Sequence, residues 1–216
     1  MTLWVWVSES RWARIGLQAG AVLIALALVA AGGWAWYRAQ ESRGLEALAA
    51  ASALLQSSDG QRVTPEARER AIKAFEGILA EYPRLSAAPQ AAYQLGNLKY
   101  AAGQYAQARG AYEVALTKGA SGSARALAAM GIGYAWEAEK SYANAAAAYG
   151  ATVKRLGPKD FLYEEALMAE ARAQELAGKP TVALDLYQRI LREIPDSPHA
   201  DNLRGRVASL RSRTAR

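Results

Sequence analysis

The chain has 216 residues, 52% of them hydrophobic and 21% charged, with a formal net charge of +6, no cysteine and one histidine. With His199 alone, zinc-ligand sets, Cys-His nucleophiles and imidazole triads cannot be assembled, and no lipid can be attached through a cysteine. The positive balance does not point to nucleic acid: Arg204, Arg206, Arg211, Arg213 and Arg216 crowd into the C-terminal stretch, leaving the rest of the chain nearly neutral with no basic stripe.

A tail over residues 1–14 leads into residues 15–37, which are uncharged and apolar except for Gln18. A helix over this stretch is roughly 34 Å long, enough to cross a hydrocarbon core. Five of the six tryptophans lie in the first 36 residues, with Trp12 ahead of the stretch and Trp34 and Trp36 at its end, where indole rings would mark two membrane interfaces. A single transmembrane helix over 15–37 is therefore expected. The competing reading is a cleaved signal peptide with Val29-Ala30-Ala31 as its cleavage site, although the apolar run continues beyond it to Arg38. Arg11, Arg14 and the amino terminus stand against Glu9 on one side, and Arg38 and Arg43 against Glu41 and Glu46 on the other. The free amine tips this balance toward an N-terminus inside, which puts the remaining residues outside the cytoplasm, in the periplasm of a Gram-negative cell. Gly16 and Gly20 form a Gly-x-x-x-Gly pair, which leaves a homodimer through the span open.

Beyond the span an alanine is followed four residues later by an aromatic four times: Ala71 and Phe75, Ala108 and Tyr112, Ala145 and Tyr149, Ala183 and Tyr187. The i, i+4 spacing puts each pair on one helix face, and the recurrence every 37 or 38 residues is that of a solenoid of helical hairpins. Offsets back from Tyr112 give Leu95-Gly96, Gly103 and Tyr105; from Tyr149 they give Ile132-Gly133, Trp136 and Tyr142. From Tyr187 they give Leu167, Ala171 and Gly178, with Glu170 in the leucine's place and Pro180 in the turn aromatic's. In the first unit the second helix reads clearly from Glu66 to Glu81, and Glu41 to Gln56 is its first helix, with Ser57-Ser58-Asp59-Gly60 as loop.

These residues resemble the tetratricopeptide repeat, in which a bulky residue, Leu-Gly, an aromatic, Ala, an aromatic, Ala and Pro recur in this order. The expected fold is all-α: a transmembrane helix, then a tetratricopeptide-repeat solenoid over 41–213 of about four helical hairpins. The units lie near 41–83, 89–122, 126–159 and 164–197, and a capping helix follows over 199–213. In the cap, Leu203, Val207 and Leu210 form one apolar stripe among arginines, which either face solvent or meet anionic lipid. Two joints, Glu81-Tyr82-Pro83-Arg84-Leu85-Ser86 and Glu193-Ile194-Pro195-Asp196-Ser197-Pro198, are similar to those in repeats of bacterial outer-membrane assembly lipoproteins.

The repeating residues pack between helices, so binding residues are sought beside them. In the pattern this chain resembles, the fifth, ninth and twelfth positions face the groove. They map to Tyr93, Asn97 and Tyr100, then Met130, Tyr134 and Glu137, then Met168, Arg172 and Glu175. Tyrosine and methionine adapt to varied apolar partners, although both methionines could equally fill gaps between helices. The Lys and Asn clamp by which some members hold a C-terminal carboxylate is lacking, since Tyr93 stands in the lysine's place beside Asn97.

No catalytic constellation emerges and no cofactor is expected. Gly131-x-Gly133 begins like a dinucleotide fingerprint, but Trp136 occupies the third glycine's place, and glycines in a helix serve close packing. Glu164 and Glu165 are adjacent and point apart. One span followed by a short array, joined by Trp34-Ala35-Trp36-Tyr37-Arg38, resembles the ancillary subunit of the SecYEG translocon. That resemblance implies an inner-membrane protein that binds emerging envelope proteins or periplasmic chaperones beside the translocon. The alternatives are a structural scaffold of an envelope assembly or cell-division complex and, with the opposite orientation, a cytoplasm-facing adaptor.

Overall fold

The computed structural model describes residues 11–56 and 63–214, among which there are nine α-helices and no strand. The tail over 1–10, the Ser57 to Gly60 loop and Arg216 lie outside the described residues. Helix α1, Arg11–Ala53, is continuous, so the apolar stretch and the first helix of the first hairpin are one rod of about 64 Å. No proline interrupts it, the polar residues from Arg38 to Arg43 are compatible with a helix, and the Gly32-Gly33 pair alone does not break one flanked by alanines. Its two parts differ in burial. The most apolar window of Ile15–Ala53 has a mean hydropathy of 2.2 and none of it is buried, so this helix is long and apolar enough to cross a membrane.

From Glu41 onward α1 docks. Gly44 lies against Leu85, Tyr82 and Ala87, and Leu48 and Ala51 enter a core with Phe75 and Ile78 of α2, Pro65–Glu81. Thr64 caps α2, its hydroxyl accepting from the Ala67 amide at 3.2 Å, with Pro65 at the first position; Pro83 follows its end. Three hairpins and a last helix follow. They are α3 Ala87–Ala101 with α4 Tyr105–Thr117, α5 Gly122–Ala138 with α6 Tyr142–Val153, and α7 Tyr163–Leu176 with α8 Pro180–Glu193. Helix α9, Ala200–Thr214, packs on α8. Each helix touches its sequence neighbours, and α1 with α3 and α3 with α5 also meet, so first helices stand side by side. This is the stacking that buries hairpin faces only against neighbouring hairpins.

The turn between the two helices of a hairpin is the same in all three. Gly103, Lys140 and Gly178 take left-handed φ values of 74°, 61° and 76°. The next residue's amide then donates to a carbonyl of the last helical turn at 2.9 Å: Gln104 to Lys99, Ser141 to Trp136, Lys179 to Gln174. A lysine in this conformation lacks glycine's freedom, so the middle hairpin carries a local strain that the others avoid. The third unit keeps register despite its departures: Ala171 stands where Gly96 and Gly133 stand, and Pro180 is accommodated at the first position of α8. Glu170 lies against Gly150, where a side chain on that glycine would meet its carboxylate.

Glycines in the first helices make room for the repeating aromatics. A Cβ on Gly96 would lie 2.5 Å from the Tyr112 ring and one on Gly131 2.6 Å from it, so the ring is held between α3 and α5. Gly133 makes the same room for Tyr149. The two proline joints also share a device. Ser86 donates its hydroxyl to Glu41, and Ser197 to Glu164, tying each joint back to a first helix of its own hairpin. His199 is a surface residue, its amide donating to the Ser197 hydroxyl.

Candidate protein-binding face

The first helices α3, α5 and α7 carry the expected groove positions, and the structure treats them unequally. Tyr93, Asn97 and Tyr100 of α3 and Tyr134 of α5 line one cavity of about 250 Å³, together with Tyr112, Leu127 and Gly131. The rings of Tyr93 and Tyr112 are 6.0 Å apart and tilted by 43°. Tyr112 donates its hydroxyl to the Asn97 carbonyl oxygen at 2.9 Å, and the Asn97 amide donates to Gln94. Burial between two helices pushes the Tyr112 phenol far above its ordinary value, with the neighbouring Tyr93 and Tyr100 adding to it. Tyr100, on the rim, sets its ring edge-on to Tyr105 at 5.3 Å. The cavity is thus aromatic-walled and uncharged, with Asn97 as its amide.

Met130 does not belong to this surface. It is 1% exposed and packs into the core with Ala145, Tyr149 and Leu167, so here the gap-filling alternative holds. The residue one position on, Gly131, reaches the cavity instead. Met168 is partly buried against the same core.

Toward α7 the surface changes from aromatic to ionic. Arg172 holds Glu137 with two hydrogen bonds of 2.9 and 3.0 Å, and Tyr149 donates its hydroxyl to the same carboxylate at 2.8 Å. Burial pushes the Glu137 carboxyl up, but these donors outweigh it and hold the group below its ordinary value. The hydrogen bond to Glu137 also raises Arg172. Tyr134 stacks edge-on against Tyr149 at 5.6 Å and donates its hydroxyl to Glu165. The next twelfth-position residue, Glu175, is taken from behind by α9: Arg206 donates to it at 3.0 Å and Arg213 at 3.3 Å. Arg204 pairs with Asp201 at 2.7 Å. Arg204, Arg206 and Arg213 are therefore answered by acids, and the two that reach Glu175 tie the cap to the last hairpin.

Sequence reasoning brought Tyr93, Asn97, Tyr100 and Tyr134 together and missed Tyr112, Leu127, Gly131 and Glu165. A signal was present for one of them. Phe75 in the first unit has no hydroxyl, whereas Tyr112, Tyr149 and Tyr187 carry one that a buried site must satisfy. Among the described residues no three His, Cys, Asp or Glu side chains gather as a metal site.

A stack of helical hairpins presenting an aromatic cavity and an ionic lattice on its first helices defines an α-solenoid of the protein-interaction class. The chain belongs, more particularly, to the tetratricopeptide-repeat proteins: models of that repeat match residues 66–123 and 93–161, and residues 165–197. A comparison with curated proteins gives no match.

Proposed function

We propose that this protein is a membrane-anchored interaction module that holds extended segments of envelope proteins, or the chaperones that carry them, beside the translocon. The observation that carries the reading is the cavity walled by Tyr93, Tyr100, Tyr112, Tyr134 and Leu127. Rigid rings with Asn97 among them suit an apolar side chain flanked by peptide amides, at low ordering cost. The continuous helix α1 supports the anchor, because it carries the apolar stretch directly into the first hairpin without a linker. In this reading residues 15–37 span the inner membrane once, the repeats lie in the periplasm, and any homodimer forms through Gly16 and Gly20. The span joined to a short array by an aromatic-basic exit supports the place beside the translocon.

A scaffold for an envelope assembly or division complex is the second reading, favoured by the ionic half of the face, where Glu137 is already engaged by Arg172 and Glu165 by Tyr134. Photo-crosslinkers at Tyr93 and Tyr100 separate the two. A spread of nascent or partly folded envelope proteins supports client handling; a single dominant adduct sinks it in favour of the scaffold. Alkaline phosphatase and fluorescent-protein fusions at the C-terminus test the side of the membrane. Fluorescence without phosphatase activity overturns the periplasmic placement.

A further inference from the structure

The largest cavity among those described lies away from the aromatic face, where α1 leaves its apolar stretch. It measures about 470 Å³. One wall is Trp36, Tyr37 and Gln40, straddling the boundary between the last apolar residue of the stretch and the first charge, Arg38. The opposite wall is the proline joint after α2, with Tyr82, Pro83 and Leu85. Two cations complete it, Arg84 from the joint and Lys118 from the end of α4. Both are exposed, and among the described residues neither makes an ion pair. Glu81 also lines the cavity, the one acid among its walls. The joint itself cannot swing away, because Ser86 is tied to Glu41 and Gly44 lies under Leu85 and Tyr82.

We infer that this cavity is a site for an anionic phospholipid of the leaflet into which α1 is inserted. Its phosphate would sit between Arg84 and Lys118, and its glycerol and first acyl carbons against Trp36, Tyr37 and Leu85. The inference rests on the reading of residues 15–37 as a membrane span. Given that span, Trp36 and Tyr37 stand at the interface, where indole and phenol rings settle, so the cavity opens at headgroup depth. Two unpaired cations against one acid, beside the aromatic and apolar surface of Trp36, Tyr37, Tyr82, Pro83 and Leu85, match an amphipathic anion entering from the membrane side. A basic side chain at an anionic surface favours the anionic species by roughly fivefold. Because the solenoid is docked on the second half of α1, an occupied site would fix the rotation of α1 in the bilayer and so the direction in which the aromatic face looks.

The test uses the full-length protein in vesicles of phosphatidylcholine with a minor fraction of phosphatidylglycerol. A photo-crosslinking benzoylphenylalanine replaces Trp36, which is 66% exposed, or in a second preparation Trp34, which does not line the cavity. Lipid adducts are counted by mass spectrometry. At position 36 phosphatidylglycerol is expected to be enriched roughly fivefold or more over its share of the bilayer. Arg84→Ala with Lys118→Ala should abolish the enrichment there and leave adducts at position 34 unchanged, while Arg84→Lys with Lys118→Arg should retain it. Adducts at position 36 that follow bulk composition, that ignore the double alanine variant, or that are peptides rather than lipids overturn the site. Loss of the protein from the vesicles on alkaline carbonate extraction would instead overturn the span, and the lipid site with it.

Discussion

The two ends of the candidate binding face are built on the same repeat positions and have opposite chemistry. At the ninth and twelfth positions the first full hairpin has Asn97 and Tyr100, both neutral, and the space beside them stays open as the 250 Å³ cavity. The next two hairpins have Tyr134 with Glu137 and Arg172 with Glu175, and each carboxylate is claimed by an arginine further along: Glu137 by Arg172, Glu175 by Arg206 and Arg213. A neutral position leaves surface for a partner, whereas a charged one is used by the neighbouring repeat to hold register. The backbone does not distinguish the two ends; side-chain charge does.

The largest expected effect that would break this contrast comes from Tyr149→Ala, which empties a fully buried site and removes the donor to Glu137. It should cost about 3–5 kcal/mol in urea unfolding. If the ends are energetically distinct, the α3–α4 hairpin should lose less hydrogen-exchange protection than the α5–α8 region. Gly131→Val acts on the other end. Its side chain would drive into the Tyr112 ring, destabilise by about 1–3 kcal/mol, and suppress crosslinking from Tyr93. Retention of crosslinking at full yield would mean that the cavity is not where partners sit.

Glu137→Gln and Glu170→Gln sharpen the ionic side because their signs are opposite. The Glu137 carboxyl is held below its ordinary value in the fold. Its stabilisation is therefore present above the unfolded carboxyl range and is lost as pH falls through its folded value. Glu137→Gln should cost about 1 kcal/mol at neutral pH, discounted because Arg172 is half exposed, and nothing in strong acid. Burial raises the Glu170 carboxyl, against the pull of Arg189 and Lys154. Stability from that site is greatest in acid and is lost as pH rises through its folded value, so Glu170→Gln should stabilise at neutral pH and be silent in acid. Unfolding midpoints across pH for both variants check the pair; shifts of the same sign would contradict it. Smallest is Lys140→Gly, which relieves the one non-glycine turn among the three hairpins. It should stabilise by about 0.5–1 kcal/mol in thermal or urea unfolding.

Much of the architecture was legible because small and aromatic residues at fixed spacing have few ways to be buried together. The Ala and aromatic pairs, Leu95-Gly96 and Ile132-Gly133 imply hairpins that stack, and the helices bear this out. Met130 was not legible, since a methionine suits a gap as well as a groove and only its neighbours decide. Nor was the cap: read along the chain, its arginines meet few acids, yet Glu175 lies across the helix interface. The split of α1 into an exposed apolar half and a docked half could be read from composition, whereas its continuity could not, because the Gly32-Gly33 pair and Arg38 look like a boundary in sequence.

Local periodicity, which acts within a helix, thus determined the fold class and the apolar helix by itself. Partner choice across helices decided the rest: which repeat position is open, which is spent on a neighbour, and where Arg84 and Lys118 come to stand beside Trp36. The reason is physical. Burial and helix pairing depend on spacing that a sequence displays directly, while the cavities and the pairs of Arg172 with Glu137 and Arg206 with Glu175 join residues 30 or more positions apart, which only the packed chain brings together.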